Sequence, residues 1–171
     1  MFVETSTIEI PEHARLPDQP PEALLNAFEK PARKGVRDPG QTSAETYPPG
    51  LHTLIETKPV FMDVGVGHGA AWVNLPVSVR EGRVNSPLVT VVTVADFANG
   101  FAQLHISPEQ GFINADITLN LHRMPKGEWI AIDARTIAQP NGLAMVETVL
   151  YDQFGAIGRA SQSNLTMTRY Q

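Results

Sequence analysis

The chain has 171 residues, a formal net charge of −5 and no cysteine, which gives room for one domain with its own core and excludes disulfides, thiolate zinc sites and cysteine nucleophiles within the chain. The acidic balance speaks against nucleic-acid binding. No run of about 18 apolar residues predicts a membrane span, and no basic-then-apolar leader is visible, so the default compartment is the cytoplasm.

Residues 1–50 differ in texture from the rest, with eight of the fourteen prolines. A short strand is expected over 2–10, ended by Pro11. A short amphipathic helix is expected over 21–30, where Leu24, Leu25 and Phe28 fall at helical spacing. The remainder reads as an extended arm or linker, since proline removes backbone donors and blocks ladder pairing. Such an arm lies across a neighbouring subunit or domain, or is disordered.

Strand-like texture begins after residue 50. A first strand is expected over 52–63, bent at Pro59, and a second over 70–79, containing Trp72. Between them Gly65, Gly67 and Gly69 match neither a phosphate-binding loop nor a dinucleotide fingerprint, whose spacing and lysine are missing, and predict a hairpin turn.

Residues 86–100 are the stretch around which the rest is organised. Ser86 suits an N-cap and Pro87 a first helical turn, while Asn99 and Gly100 suit a C-terminal stop. The β-branched run Val89, Thr90, Val91, Val92, Thr93 and Val94 favours strand. The paired caps and the four-turn length favour helix, apolar nearly all round and therefore buried. Its one charge, Asp96, must be hydrogen-bonded, neutralised or functional in such a setting.

Beyond the helix, 112–122 alternates. Ile113, Ala115, Ile117, Leu119 and Leu121 share one face, and Asn114, Asp116, Thr118, Asn120 and His122 the other, which predicts one half-buried strand. Further strands are expected over 129–137, 143–151 and 157–168, the last two as a hairpin. The order is strand, strand, helix, then four antiparallel strands, an α+β domain. One helix covers one face of such a sheet, so the other face or an edge is expected to meet a partner. The five histidines show no ligand spacing, and no metal site is expected.

The runs VADFANG, FINADITLNLHRMPKGEWIAIDART and GLAMVETVLYDQFGAIGRASQS resemble the C-terminal half of acyl-CoA thioesterase II-type proteins over about 47–169. The resemblance implies the hotdog fold, a curved antiparallel sheet wrapped round one long central helix, with 47–171 as the domain and 1–46 as a Pro-rich arm. Members of that family usually carry two hotdog halves, and this chain matches one.

The same resemblance implies a water-attack hydrolase acting on an acyl-CoA or related thioester. CoA is then part of the substrate and no cofactor is expected. The attacking water falls to Asp96, Asn114 and Gln162. Better-known members carry a hydroxyl where Asn114 stands; asparagine can hold a water but cannot share a proton as a hydroxyl does. Asp116 is the competing residue on that strand, and each of the three also has a purely structural reading. Arg123, Lys126 and Arg159 are candidates for the CoA phosphates, against the simpler reading of scattered surface cations.

The alternative function is a non-catalytic hotdog module that binds acyl-CoA or serves as a dimerisation surface. A hotdog enoyl-CoA hydratase ranks lower, because its aspartate–histidine segment is missing. A homodimer or higher homo-oligomer is expected, with neither nucleic acid nor membrane as partner.

Overall fold

The computed structural model describes residues 9–15, 18–35, 50–63, 65–107 and 110–168. The strand expected over 2–10 lies outside these but for its last two positions. In chain order the elements are a 3₁₀ turn (Glu12–Ala14), α1 (Glu22–Phe28), β1 (Arg33–Lys34), α2 (Leu51–Leu54), β2 (Glu56–Asp63) and β3 (His68–Asn74). Then come α3 (Pro87–Asp96), α4 (Ala98–Phe101), β4 (Gln110–Asn114), β5 (Thr118–Leu121), β6 (Trp129–Ala138), β7 (Leu143–Asp152) and β8 (Gly155–Thr168). The strands form one antiparallel sheet in the order β1-β2-β3-β6-β7-β8-β4, with β5 also pairing β8.

The inner face of the sheet wraps the helix. Ala71 and Val73 of β3, Ile130, Ile132 and Ala134 of β6, Val146 and Leu150 of β7, and Ile157 and Ala160 of β8 close on Val91, Val94 and Ala95 of α3 and on Ala98 and Phe101 of α4. Removing that apolar area from water stabilises the helix despite its β-branched sequence. At Gly69 the two layers touch: a Cβ there would stand 2.1 Å from the carbonyl oxygen of Phe101.

Ser86 caps α3 as expected, its Oγ accepting from the amide of Val89. The expected stop does not occur. The chain leaves α3 at Phe97, turns again through α4, and departs at Ala102, so Asn99 and Gly100 sit inside the second turn. Nor is α3 buried all round. Leu88, Val89 and Val92 are exposed on the side away from the sheet, because one sheet face can cover only one side of a helix.

Two strands differ from expectation at their ends. His52 belongs to α2, and β2 starts at Glu56, with its register shifting between Pro59 and Phe61 where the bend was expected. β3 stops at Asn74, because Pro76 has no amide to offer a ladder. Asn85 then closes the loop, its amide group bonding the backbone of Val77 and Val79.

Much of the outer face carries a cover supplied by the chain itself. α1 lies over Trp72, Ala70, Ala131, Tyr151 and Ala156, with Leu24 and Ala27 buried beneath it. The indole of Trp72 donates to the carbonyl of Leu24 at 2.8 Å, and the ring of Phe28 meets Trp72 edge-on at 5.0 Å. Lys58 donates to the carbonyl of Phe28 and lies over the rings of Phe28 and Trp129. This part of the Pro-rich stretch is therefore packed on its own sheet. Beyond α1's reach, Ile113, Ile137, Leu143, Met145 and Leu165 remain exposed. A curled antiparallel sheet cradling a bent helix is the hotdog fold, an α+β architecture.

Candidate active site

A bulge decides which side chains of the helix-following strand face inward. Asn114 of β4 pairs with Asn164, and β5 resumes with Thr118 opposite Ser161. Residues 115–117 therefore stand against only two residues of β8. The extra residue reverses the alternation, as bulges do. Asn114 turns to the helix, and from Ile117 onward Ile117, Leu119 and Leu121 take the core side. The single strand expected over 112–122 is thus two strands, and Asn114 does not share a face with Thr118 and Asn120.

Asp116 belongs to the bulge itself. Its carboxylate accepts from the amide of Ser163 at 3.0 Å and from its hydroxyl at 3.1 Å. That engagement holds the kink.

Asp96 is the last residue of α3 and its side chain is exposed. The Nδ2 group of Asn114 donates to its Oδ1 at 2.7 Å. Gln162 lies beneath the same helix end at 0% exposure. Its Nε2 donates to the carbonyls of Asp96 at 3.2 Å and Ala95 at 3.4 Å, acceptors near the end of α3, where backbone carbonyls run out of helical partners. Two carbonyls can only accept, so the NH₂ end of Gln162 must face the helix and Oε1 must face away. That oxygen is buried and has no hydrogen-bond partner among the described residues.

The three residues singled out in the sequence therefore converge on one helix end. Two more join them that the sequence did not mark as site residues. Asn164, 1% exposed, donates from Nδ2 to Oδ1 of Asn99 at 2.8 Å. Asn99 in turn donates from Nδ2 to the carbonyl of Phe112 at 3.2 Å. The available signal was periodicity: Asn164 stands two residues after Gln162 on a strand, and Asn99 about one helical turn after Asp96.

The cations divide. Arg123 is not available to a phosphate, because it forks onto the carboxylate of Asp152. Asp152 is fully buried and also accepts from the amides of Lys126 and Phe154, each at 2.8 Å. The hydrogen bond that Arg123 donates to Asp152 raises the guanidinium above its ordinary value, against the opposing effect of burial. Lys126 and Arg159 are exposed. Among the described residues no three histidine, aspartate or glutamate side chains cluster as metal ligands.

A cavity of about 480 Å³ opens at the other end of α3, lined by Leu75, Pro76, Val77, Asn85, Pro87 and Thr90 among others. It does not reach the Asp96 cluster. The chemistry-bearing groups lie at the C-terminal end of the helix: an exposed carboxylate with one oxygen held by an amide, and a buried amide oxygen beneath it. That set can orient a water by accepting its hydrogen bonds; it contains no hydroxyl or thiol nucleophile.

Fold and cluster together define a hotdog domain with a carboxylate–amide site at the end of its central helix. Over residues 11–166 the chain matches the acyl-CoA thioesterase C-terminal domain family, and it belongs to that family. No curated protein matches it. Among solved structures it is similar to a Streptococcus mutans protein bound to acetyl CoA, at 15% identity over 67% of this chain and 91% of that one, TM-score 0.49. A hypothetical thioesterase from Streptococcus pneumoniae with coenzyme A gives 12% identity over 68% and 88%, TM-score 0.49. A thioesterase family protein from Silicibacter pomeroyi gives 17% identity over 66% and 85%, TM-score 0.48.

Proposed function

We propose that the chain is an acyl-CoA thioesterase that hydrolyses its substrate with a water held by Asp96, Asn114 and Gln162. The observation that supports this best is the bond from Asn114 to Oδ1 of Asp96. A carboxylate fixed through one oxygen presents the other in a defined direction. In this reading Oδ2 takes a proton from the attacking water as general base. Gln162 Oε1 accepts a hydrogen bond from the O–H that the water keeps, since its own NH₂ is committed to the helix. Asn114 orients the base and shares no proton, which is what an amide can do in place of a hydroxyl. The water oxygen bonds to the thioester carbonyl carbon, the C–S bond then breaks to leave the free acid, and the sulfur of CoA leaves as thiol with the proton from Asp96. CoA enters as part of the substrate, and no cofactor takes part.

The same reading makes the active form a cytoplasmic homodimer. Among the described strands β4 pairs with β8 alone, so Asn114 lies on an edge strand that a second copy can extend. Among the described residues no helix is long and apolar enough to cross a membrane.

The test is thiol release from acyl-CoAs ranging from acetyl to long-chain and aromatic, on purified protein of measured oligomeric state. Turnover on at least one, lost in Gln162→Ala, is expected. A folded dimer inert on the whole panel, yet binding acyl-CoA by calorimetry, would replace this reading with the non-catalytic module.

A further inference from the structure

We propose that Asn99 is the positioning residue of the Asp96–Asn114 pair, acting with Asn164; this rests on the catalytic reading given above. Asn99 lies one turn past Asp96, and the two are joined through the turn at Phe97, with Phe97 donating to Val94 and Gly100 and Phe101 donating to Phe97. Its side chain grips both strands that carry the amides of the site. It accepts from Asn164 of β8 and donates to the Phe112 carbonyl of β4.

The direction of this relay is fixed by chemistry. The Phe112 carbonyl can only accept, so Asn99 must turn its NH₂ toward β4 and its oxygen toward β8. Asn164 must then offer its own NH₂. The consequence is visible in Asn164 Oδ1, which is buried without a hydrogen-bond partner among the described residues. Leaving a buried amide oxygen unpaired is unfavourable, and the structure accepts it to keep the relay in this sense.

β4 needs such a tie. Among the described strands its partner is β8 alone, and the bulge at 115–117 separates it from β5. Asn164 is also the cross-strand partner of Asn114. The relay thus fixes the strand two residues before Asn114 and fixes Asn114's neighbour across the ladder, both to the helix end that carries Asp96. A hydrogen bond of 2.7 Å is lost if its donor moves by an ångström, so small drift of β4 would release the carboxylate.

The full-length chain is compared with Asn99→Ala and Asn99→Asp. The aspartate keeps an acceptor for Asn164 but sets a carboxylate against the Phe112 carbonyl, so it isolates the β4 link. Both variants are expected to lower kcat on the order of 10- to 100-fold with KM within about twofold, the mark of misplacement rather than lost binding. In an Asn114→Ala background, adding Asn99→Ala is expected to change kcat by less than about twofold, because what Asn99 positions is gone. Folded variants with wild-type kcat, or a full independent loss on top of Asn114→Ala, overturn the proposal and leave the catalytic reading standing. Should Asp96→Ala retain full turnover, the catalytic reading fails first, and the relay is judged by the side-chain amide spectrum of Asn114. Collapse of its resonances toward free-asparagine positions in Asn99→Ala supports the relay; unchanged shifts and unchanged solvent exchange overturn it.

Discussion

Asn114 donates its side-chain amide to the carboxylate of Asp96 at 2.7 Å, across 18 residues of sequence and from a strand edge to a helix end. An N–H donor engages one carboxylate oxygen and leaves the second free. A second carboxylate in the donor's place changes the local charge. In Asn114→Asp two like charges would meet at hydrogen-bond distance and could not both ionise. The acidic limb of the profile of kcat/KM against pH is expected to move up by about 1–3 units. Asn114→Ala, which only removes the donor, is expected to lower kcat with little movement of that limb. Rates on one acyl-CoA substrate from about pH 4 to pH 9 distinguish the two.

The pair Arg123–Asp152 makes a pH-dependent contribution to stability. Burial pushes the Asp152 carboxyl up, but the Arg123 hydrogen bond, the amides of Lys126 and Phe154 and the guanidinium charge outweigh it and hold the group below its ordinary 3.8. The folded state therefore binds fewer protons than the unfolded one near that pH. Its contribution is complete above the ordinary value and is lost as pH falls through the depressed folded value. Urea midpoints measured down to about pH 2 are expected to fall more steeply for the wild type than for Asp152→Asn.

Arg123→Ala removes the partner of a buried carboxylate and is expected to destabilise by about 3 kcal/mol at neutral pH, the low end for buried pairs because the arginine side chain is 32% exposed. KM for the acyl-CoA substrate is expected to stay unchanged where the variant is folded. A raised KM would return Arg123 to the phosphate-binding candidates.

Gly69 gives a test of how closely the helix end is pressed onto the sheet. Gly69→Ala would place a methyl 2.1 Å from the Phe101 carbonyl, which is backbone on both sides and cannot yield without moving α4. A loss of about 1–3 kcal/mol is expected from overpacking. Because α4 carries Asn99, kcat is expected to drop as well. Thermal melting and steady-state kinetics on the same preparation check both.

The sequence announced some of this and concealed the rest for identifiable reasons. Ser86 and Pro87 announced α3 because capping is local chemistry. Asn99 and Gly100 resembled a stop for the same local reason, and tertiary contact with Phe112 and Asn164 overrode it. The regular alternation of 112–122 hid the bulge, since nothing in the residue types marks where an extra residue enters until Asp116 is seen bonding Ser163. Asp96, Asn114 and Gln162 were assembled by family resemblance and not by spacing. Their separations, 18 residues and 66, carry no local pattern. Arg123 looked like a surface cation because its partner lies 29 residues away in the next hairpin. The exposed side of α3 could not be foreseen from its apolar composition, which says that burial is favourable and not which surface supplies it.

The most direct measurement is kcat of Asp96→Asn beside wild type on the best acyl-CoA substrate. The substituted amide can still accept from Asn114 through its oxygen, so geometry is retained while the base is removed. A loss of about 10²- to 10⁴-fold, in a variant with the wild-type melting temperature to within a few degrees, is expected of a general base. Turnover within about twofold of wild type would contradict the assignment of Asp96 and with it the water-attack site.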